Sequence, residues 1–566
     1  MLYKALALIL ALLLYNTLFF HFLPNPGTTG FLLLTAAGQA FIVLAFLPKY
    51  AAFLRHAAGK QLTSPIGLAA LAQTLALAAA ALALFKGSPV DQVILVWTNL
   101  GLTAAALYLA ALEHSTFGAA SEAILIPASL ASHYFSSTIN ALDRSLPRLV
   151  ALLKKGPKPP KLQNDLVSHL IRGAIITVPI VVIVTVLLTT ADPVFNKFIE
   201  NLLNIKLPHI TLSQRLAGSL ILTAFLTPIT LLSIRRVFSS PLNHPSHSQG
   251  GFELTMLTAS LAFILGTFII IQFRYLFASV PETELSQFGV ATYSQYVRRG
   301  FSELTLVSII VYLAAGLSFI IHRAKQHQPL LQQRVNLLLL AEIAVFIVSI
   351  FRRVFLYANS HGLTRSRVYG SAFLLVLLAL TLILIARQLA RRPRPWYLLE
   401  IAAVLAGIFI ITNLGVDQLI ASRFPPHVNQ ETDYIYLSRL SSDTPQAWIE
   451  AYNWAKATVT DPALQGKTKI QDFTDDQIRH FLYAEHIITN TNIRFEHLKT
   501  DLGGDNRNQN LNLNLQNQTA YLKLTQTISQ DNIKAIYDQA RFFYNLIPSD
   551  QVYRYYDRSL NSPLID

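Results

Sequence analysis

Eleven apolar runs, each long enough to cross a membrane, constrain this chain more than any other feature. A helix needs about 20 predominantly apolar residues to span the hydrocarbon core of a bilayer. The first run ends in a Pro-Asn-Pro-Gly turn and has no small-residue cleavage site, so it is interpreted as a retained span. The runs are residues 2–22, 29–47, 65–85, 92–112, 171–191, 215–234, 253–277, 300–322, 335–356, 367–387 and 397–421.

The scarcity of charge supports lipid as the main solvent. Only 13% of the 566 residues are charged and 52% are hydrophobic, whereas about 25% of the residues of a soluble domain are charged. The net charge of +14 comes from bases in the loops between apolar runs, which is typical of membrane topology and argues against a nucleic-acid partner. The chain has no cysteine, which excludes disulfides, thiolate metal ligands and a cysteine nucleophile.

The lysines and arginines also orient the spans. With the N-terminus in the cytoplasm, most bases before residue 425 fall in inward-facing segments, and every inward loop contains at least one. The polar tail then emerges on the outer side. Residues 119–135 are apolar as well, but they contain Glu122, Pro127 and His133. We therefore expect an interfacial or re-entrant helix there, not a further span.

These features divide the chain into four segments. Residues 1–112 form a four-span membrane segment, and residues 113–170 form a cytoplasmic connection made of the interfacial helix and a basic Pro/Lys linker. Residues 171–424 form a seven-span core, and residues 425–566 form a soluble, mainly helical tail. The predicted fold class is all-α: a polytopic transmembrane helix bundle of about 11 spans, N-terminus in, with a small soluble helical C-terminal domain outside.

The basic linker, KKGPKPPK, lies next to the inner membrane surface. Two interpretations of its lysines stay open: they determine topology, or they bind anionic headgroups of the inner leaflet. The four residues are Lys154, Lys155, Lys158 and Lys161.

Enzyme signatures are absent from the sequence. It contains no Gly-rich phosphate loop with a following lysine, no GxSxG elbow and no HExxH. His244 and His247 are three residues apart, but they lie in a Pro- and Ser-containing loop with no acid nearby, so no metal site is predicted. No cofactor is predicted either. Enzymatic activity is open but not favoured; the weakest alternative is a membrane transferase whose arginines hold a lipid-linked phosphate.

Acids inside apolar runs are candidates for coupled transport, because a charge in the membrane is costly unless it is paired or used. Glu342 is the deepest, about two turns from the inner end of its run, and Glu303 lies near the outer end of another. Glu342 has two open interpretations: a structural hydrogen bond or ion pair to a neighbouring helix, or a transported-ion site.

Seven outward-facing bases between residues 274 and 367 are all arginine, on the face where bases are not expected. The planar fork of arginine grips carboxylates and phosphates with two bonds. Three interpretations compete: an internal network that includes Glu303, a site for an anionic lipid or envelope polymer, and docking of the acidic tail. This outer arginine cluster comprises Arg274, Arg298, Arg299, Arg352, Arg353, Arg365 and Arg367.

Three sequence blocks occur in one order: RGAIITVPIVVIVTVLLTTADPVF at 172–195, YSQYVRRGFSEL at 293–304 and RRVFLYANSHGLTRSRVYG at 352–370. Together they resemble the blocks of an uncharacterised bacterial family of polytopic membrane proteins known only as a domain of unknown function, over roughly residues 165–440. The resemblance implies a bacterial membrane protein without an assigned catalytic residue. The matching motif positions are Ala191, Asp192, Pro193, Tyr296, Arg298, Gly300, Glu303, Leu304, Arg353, Tyr357, Gly362, Leu363, Thr364 and Arg367.

The favoured function is that of a non-enzymatic sensing or envelope-associated membrane protein whose outer arginine cluster binds an anionic lipid or the chain's own acidic tail. The alternative is a secondary transporter that uses Glu342 and Glu303. Membrane lipid is the predicted partner. The predicted location is the bacterial cytoplasmic (inner) membrane, with many passes and an extracytoplasmic C-terminal domain.

Overall fold

The chain separates into two compact units. Unit 1 consists of Met1–Ala120, His361–Arg365 and Ile408–Asp566, and unit 2 consists of Ser121–Ser360 and Ser366–Gly407. The computed structural model describes residues 27–55, 64–111, 165–203, 251–277, 301–323, 330–390, 396–428, 431–464, 469–503 and 514–547. The predicted spans at 2–22 and 215–234, the helix at 119–135 and the four linker lysines lie outside those residues.

Four of the described helices of unit 1 come from the N-terminal part of the chain. They are α1 (Thr29–Ala45), α2 (Leu47–Arg55), α3 (Pro65–Ala83) and α4 (Pro89–Ala111). Ser64 caps α3 by accepting a hydrogen bond from the Gly67 amide at 3.1 Å, and Pro65 occupies the first turn. A buried alanine stripe on α3 lets α4 approach closely, and Asn99 of α4 donates to the Ala76 carbonyl at 2.7 Å.

The C-terminal part of the chain completes unit 1. The helix α12 (Val416–Arg423) leads into a two-strand bridge in which β1 (His427–Val428) pairs antiparallel with β2 (Glu431–Thr432). The tail helices then pack around Trp448, Phe481 and Phe543. The rings of Phe481 and Phe543 are stacked, with their centroids 4.6 Å apart. These helices are α13 (Tyr434–Ser438), α14 (Pro445–Val459), α15 (Asp475–Gly503), α16 (Leu515–Thr527) and α17 (Gln530–Asn545).

Unit 2 is a bundle of long apolar helices. The helices that contribute to it are α5 (Asp165–Ala191), α6 (Pro193–Leu203), α7 (Gly251–Phe277), α8 (Phe301–Arg323), α9 (Leu330–His361), α10 (Arg365–Leu389) and α11 (Trp396–Asn413). Their core is apolar, and edge-to-face aromatic contacts join Phe195, Phe268 and Phe346. The helices α5 and α7 run in the same direction, because His169 meets Glu253 at their beginnings and Asp192 meets Gln272 at their ends.

A knot of polar side chains ties three helices of unit 2 together. Gln332 of α9 is fully buried and donates to Ser318 of α8 at 2.8 Å and to Thr258 of α7 at 3.2 Å. It also accepts a hydrogen bond from Thr255, and Asn336 donates to Ser318 at 2.7 Å. Polar contacts of this kind hold membrane helices in register, since apolar packing alone does not distinguish a helix from lipid.

The helices confirm the prediction of a helical membrane protein. Within the described ranges, seven helices are long and apolar enough to cross a membrane, and the number rises to nine if each of two bent pairs forms one span. The bent pairs are Thr29–Ala45 with Leu47–Leu54, at 85°, and Leu398–Asn413 with Val416–Arg423, at 52°. These nine coincide with nine of the eleven predicted runs. The total of about eleven stays a prediction.

The compact units group the chain differently from the four segments expected by sequence order. The N-terminal helices and the tail belong to one unit, although more than 300 residues separate them in the chain. Composition divides a chain at changes of polarity, whereas compactness depends on contacts between distant segments. The short strand bridge is the other addition to an otherwise all-helical expectation.

Candidate functional site

Four members of the outer arginine cluster have a side chain that the structure describes. Arg298 and Arg299 lie outside the described residues, and only the backbone of Arg274 is described. The remaining four divide between the units: Arg352, Arg353 and Arg367 belong to unit 2, and Arg365 belongs to unit 1.

Arg353 is a buried partner of Asp192 in unit 2. Its side chain is 3% exposed, and its Nη2 lies 2.8 Å from Oδ2 of Asp192, which has no exposed surface. The same carboxylate accepts from Gln272, and its other oxygen caps α6 by accepting from the amides of Val194 and Phe195 at 2.9 and 3.0 Å. Asp192 therefore joins α5, α6, α7 and α9 at one point.

The neighbouring Arg352 is exposed, in contrast to Arg353. Successive residues of a helix point about 100° apart, so one arginine of the pair faces the core and the other faces away. Glu303, predicted to neutralise the cluster, is half-buried and accepts from the Ser302 hydroxyl at 2.9 Å. Among the described residues, the carboxylate that pairs with Arg353 is that of Asp192.

Arg365 makes a two-pronged ion pair in unit 1. Its Nε and Nη2 donate to the two oxygens of Asp417, each at 2.7 Å, and Asp417 is buried. Asp417 also accepts from the amide and hydroxyl of Ser441, while the Arg365 amide donates to the Tyr436 hydroxyl at 2.7 Å. A bidentate pair of this geometry is stronger and more specific than a single contact. It connects the start of α10, the helix α12 and the tail.

Asp443 joins the tail to the turn between α3 and α4. Its two carboxylate oxygens accept from the amides of Gly87 and Ser88 at 2.8 and 2.9 Å. Burial raises the pKa of this carboxyl above the usual value for aspartate, and the hydrogen bond from Gly87 opposes that shift. Gly87 and Ser442 are in close contact, since a Cβ on Gly87 would lie 1.9 Å from the Ser442 hydroxyl oxygen.

Asn514 makes the second contact between the tail and the N-terminal helices. Its amide group donates to the carbonyls of Gly27 and Lys86 at 2.8 and 3.1 Å, while its oxygen caps α16 at the Asn517 amide. The next amide, that of Leu515, donates to the Leu84 carbonyl at 3.1 Å. We define these contacts together with those of Asp443 as the tail junction. Every contact of the junction lies within unit 1.

Glu342 lies inside unit 2, with its carboxyl against α7. A Cβ on Gly266 would lie 2.9 Å from Oε1 of Glu342, so the carboxyl rests on the bare backbone of that glycine. Its Oε2 is buried and has no hydrogen-bond partner among the residues that the structure describes. Three other acids of this unit have basic partners: Asp192 with Arg353, Glu253 with His169 at 2.9 Å, and Glu400 with Arg387 at 3.3 Å.

Sequence reasoning missed the roles of Asp192 and Asp417. Both lie at the outer end of a predicted span, where the arginines also lie, so matching acids and bases by membrane depth would have suggested the pairs. The knot around Gln332 has no comparable signal, because the sequence does not show which uncharged polar residues of separate spans contact one another. No three His, Asp or Glu side chains converge as a metal site within the described part of the chain.

His486 gives the tail a pH dependence. Burial lowers its pKa to about 4, and Arg439, whose Nη2 lies 3.0 Å from Nε2, adds to the shift. A base whose pKa is depressed on folding contributes stability at high pH that is lost as the pH falls from about 6.5 towards 4. We therefore expect unit 1 to lose at most about 1.4 kcal/mol per pH unit across that window.

The measurement is thermal unfolding of the full chain between pH 7 and 4, with tail proteolysis as the local readout. His486→Gln should flatten the dependence, because glutamine does not titrate. His480→Gln on the same helix, α15, is the matched control and should retain it. An unchanged slope in the His486 variant would contradict the assignment.

Comparison with known proteins gives one match. The profile of a family described as Domain of unknown function (DUF4153) matches residues 72–451. This range contains the Asp192 and Arg353 pair, Arg365, Asp417 and Asp443. Neither the curated proteins nor the solved structures contain a match to the chain.

Proposed function

The chain belongs to this family, which confirms the resemblance seen in the sequence blocks, and because the family description carries no activity we propose a function from the geometry. We propose that the protein is a non-enzymatic, multi-pass membrane protein in which the tail is a sensing or envelope-associated module fastened to the membrane helices. The tail junction is the observation that supports this proposal most directly.

The tail junction and the contacts of Arg365 together support a fixed tail, because they come from separate points of the chain. Asp443 and Asn514 contact the turn between α3 and α4 and the residue before α1. Asp417 and Tyr436 contact Arg365, which begins α10. A domain on a flexible linker could rotate without breaking contacts, whereas this tail has to break buried charged and polar contacts to move. A ligand or force that displaces the tail would therefore act on α3 and α4.

The contacts of Arg365 favour the own-tail interpretation of the arginine cluster at that position. Asp417 accepts hydrogen bonds from one side of the Arg365 guanidinium. The same carboxylate also accepts a hydrogen bond from the amide of Ser441 in the tail. From the distribution of lysines and arginines, we propose that the chain spans a bacterial inner membrane about eleven times. The N-terminus then lies inside and the tail lies outside. An outer tail is placed to meet envelope components, and membrane lipid remains the proposed partner of the exposed Arg352.

A cysteine cross-link tests the fastened tail. An ideal Cβ on Gly87 would lie 3.0 Å from the Ser442 Cβ. Disulfides join Cβ atoms about 3.5–4.5 Å apart, so a shift of about 0.5 Å between the two segments brings the pair into range. The full chain with Gly87→Cys and Ser442→Cys should form the disulfide in membranes, with no background because the native chain has no cysteine. A protease site inserted within residues 113–164 allows the chain to be cut into two fragments. The disulfide should hold these fragments together until a reductant is added.

The matched control pairs Gly101→Cys with Ser442→Cys. Gly101 lies on α4 with open space where its Cβ would be, so this pair should separate after proteolysis. If the Gly87 and Ser442 cysteines do not form a disulfide in folded protein, the proposal that the tail is fastened to the turn between α3 and α4 is contradicted. The side of the membrane is read separately with Glu450→Cys, an exposed tail position. An impermeant thiol reagent should label it in intact cells, and protection would reverse the orientation.

One observation favours a secondary transporter as a second candidate. Polar residues recur along α9: Gln332, Asn336 and Arg353 are buried, and Glu342 between them is half-buried. The interval from 332 to 353 covers about 31 Å of helix, close to the thickness of the hydrocarbon core. Leu339, Ile343 and Phe346 are buried between these polar levels, so transport would require a second conformation that connects them. Glu303 lies near the start of α8.

A further inference from the structure

Glu342 is an acid of unit 2 for which the described part of the chain provides no cationic partner. Glu342 lies about 18 Å along α9 from its first residue, near the middle of a membrane-length helix. Asp192, Glu253 and Glu400 each meet a basic side chain. No such partner is found for Glu342 in the described part of the chain, and its Oε2 has no hydrogen-bond partner there.

The surroundings of Glu342 favour the neutral acid. An ionised carboxylate in an apolar interior is costly unless it is paired, and such a group takes up a proton instead. On α9 the neighbours Leu339, Ile343 and Phe346 are buried and apolar. Facing them on α7, Gly266 offers backbone alone, with Leu265 and Phe268 buried beside it.

The ionisable groups of the adjoining elements are distant along their helices. On α7 the charged residues are Glu253 and Arg274, and on α9 they are Arg334, Arg352 and Arg353, each at least two turns from Gly266 or Glu342. On α8 and α10 the charged residues lie at the ends: Glu303 and Arg323 on α8, and Arg365, Arg367 and Arg387 on α10. The described helices therefore supply no nearby charge that would hold the carboxyl in its ionised form.

We propose that Glu342 is a proton-binding site inside the membrane, a carboxyl that rests in the niche above Gly266 and is neutral in this conformation. The reaction is the uptake of one proton by the carboxylate to give the carboxylic acid, and its reverse. The polar knot of Gln332, Asn336 and Ser318 lies between this carboxyl and the beginning of α9. The proposal does not depend on the fastened tail.

Gly266 is the specificity-determining residue of the niche. Its missing side chain leaves the room that the Glu342 carboxyl occupies, because a Cβ would meet Oε1 at 2.9 Å. Gly266→Ala should therefore displace the carboxyl while leaving its chemical identity unchanged. Gly316 of α8 has no atom within 4 Å of its Cβ position and provides the matched glycine control.

The test uses dicyclohexylcarbodiimide, an apolar reagent that reacts with neutral carboxylic acids in membrane interiors. The acid O–H adds across one C=N bond of the reagent, and the acyl group then moves from oxygen to nitrogen, so the whole reagent stays attached. The full chain in lipid vesicles is treated over a pH series, and the peptide that contains Glu342 is analysed by mass spectrometry. We expect labelling of Glu342 at neutral pH that falls at least tenfold as the solution becomes alkaline.

Three variants make the outcome decisive. Glu342→Gln should lose the label and keep the unfolding midpoint, because glutamine replaces a neutral acid with a neutral isostere. Gly266→Ala should change the labelling rate severalfold, whereas Gly316→Ala and Glu303→Gln should leave the Glu342 label intact. Folded protein that is never labelled at Glu342 would overturn the proposal. So would a large drop in the midpoint of Glu342→Gln, since that would reveal an ion pair to the carboxylate.

Discussion

Replacing Arg353 with alanine should destabilise unit 2 by about 3–5 kcal/mol, the cost of removing one partner from a buried ion pair. Asp192 has no exposed surface, so its charge would remain in the interior without the guanidinium. The expected readout is a large fall in the unfolding midpoint of the full chain in mild detergent. Arg353→Lys should recover part of the loss, because the charge stays while the geometry of the guanidinium is lost.

Arg352→Ala is the matched control for this experiment. Arg352 is adjacent in sequence and has the same chemistry, but it is exposed. Exposed substitutions of this kind usually change stability by no more than about 0.5 kcal/mol. Equal effects of the two variants would show that the pair with Asp192 contributes no more to stability than a surface charge.

Gly362→Ala should loosen unit 1 by about 3 kcal/mol or more, because two costs coincide. Gly362 has a φ of +73°, which costs a residue with a side chain roughly 1–2 kcal/mol. A Cβ there would also lie 2.2 Å from the Pro425 carbonyl oxygen, and backbone cannot move aside as a side chain can. The adjacent Leu363 amide donates to the Phe424 carbonyl at 3.0 Å, so the strain would act on the beginning of the tail.

The measurement is the rate of proteolysis near residues 424–433, together with the unfolding midpoint. Gly101→Ala is the control within the same unit, since it lies on α4 with no atom near its Cβ position. That change should be neutral or stabilise by up to about 1 kcal/mol, the difference in helix propensity. If the Gly362→Ala variant has the same unfolding midpoint and the same cleavage rate as the wild-type chain, the close contact between Gly362 and Pro425 is contradicted.

Span positions could be predicted from the sequence because they depend on local properties. Length and hydropathy of a run are read directly from neighbouring residues, and the nine runs that fall in described ranges correspond to helices or bent helix pairs. The same information cannot find the bends. The kink before α12 depends on Gly415, whose φ of +64° is a left-handed conformation within an otherwise apolar span.

The partners of the arginines could not be predicted in the same way. Arg353 and Asp192 are 161 residues apart, and Arg365 and Asp417 are 52 residues apart. No local pattern encodes such pairs, and the resemblance to family blocks marked Asp192 and Arg353 without assigning them to each other. Sequence also assigned both arginines to one outward cluster, whereas the structure divides them between two units. The ligand role of the remaining members stays a prediction.

The tail junction has a consequence for the order of biosynthesis. Gly87 and Asp443 are 356 residues apart, and Gly27 and Asn514 are 487 apart. At translation rates of about 5–20 residues per second, the α3–α4 turn waits roughly 20 to 70 seconds for Asp443 to be made. During this interval the amides of Gly87 and Ser88 lack the carboxylate to which they donate in the folded chain. Unit 1 therefore closes last, after the translation of unit 2, and a ribosome that stops before residue 443 leaves the N-terminal helices without the partners that complete them.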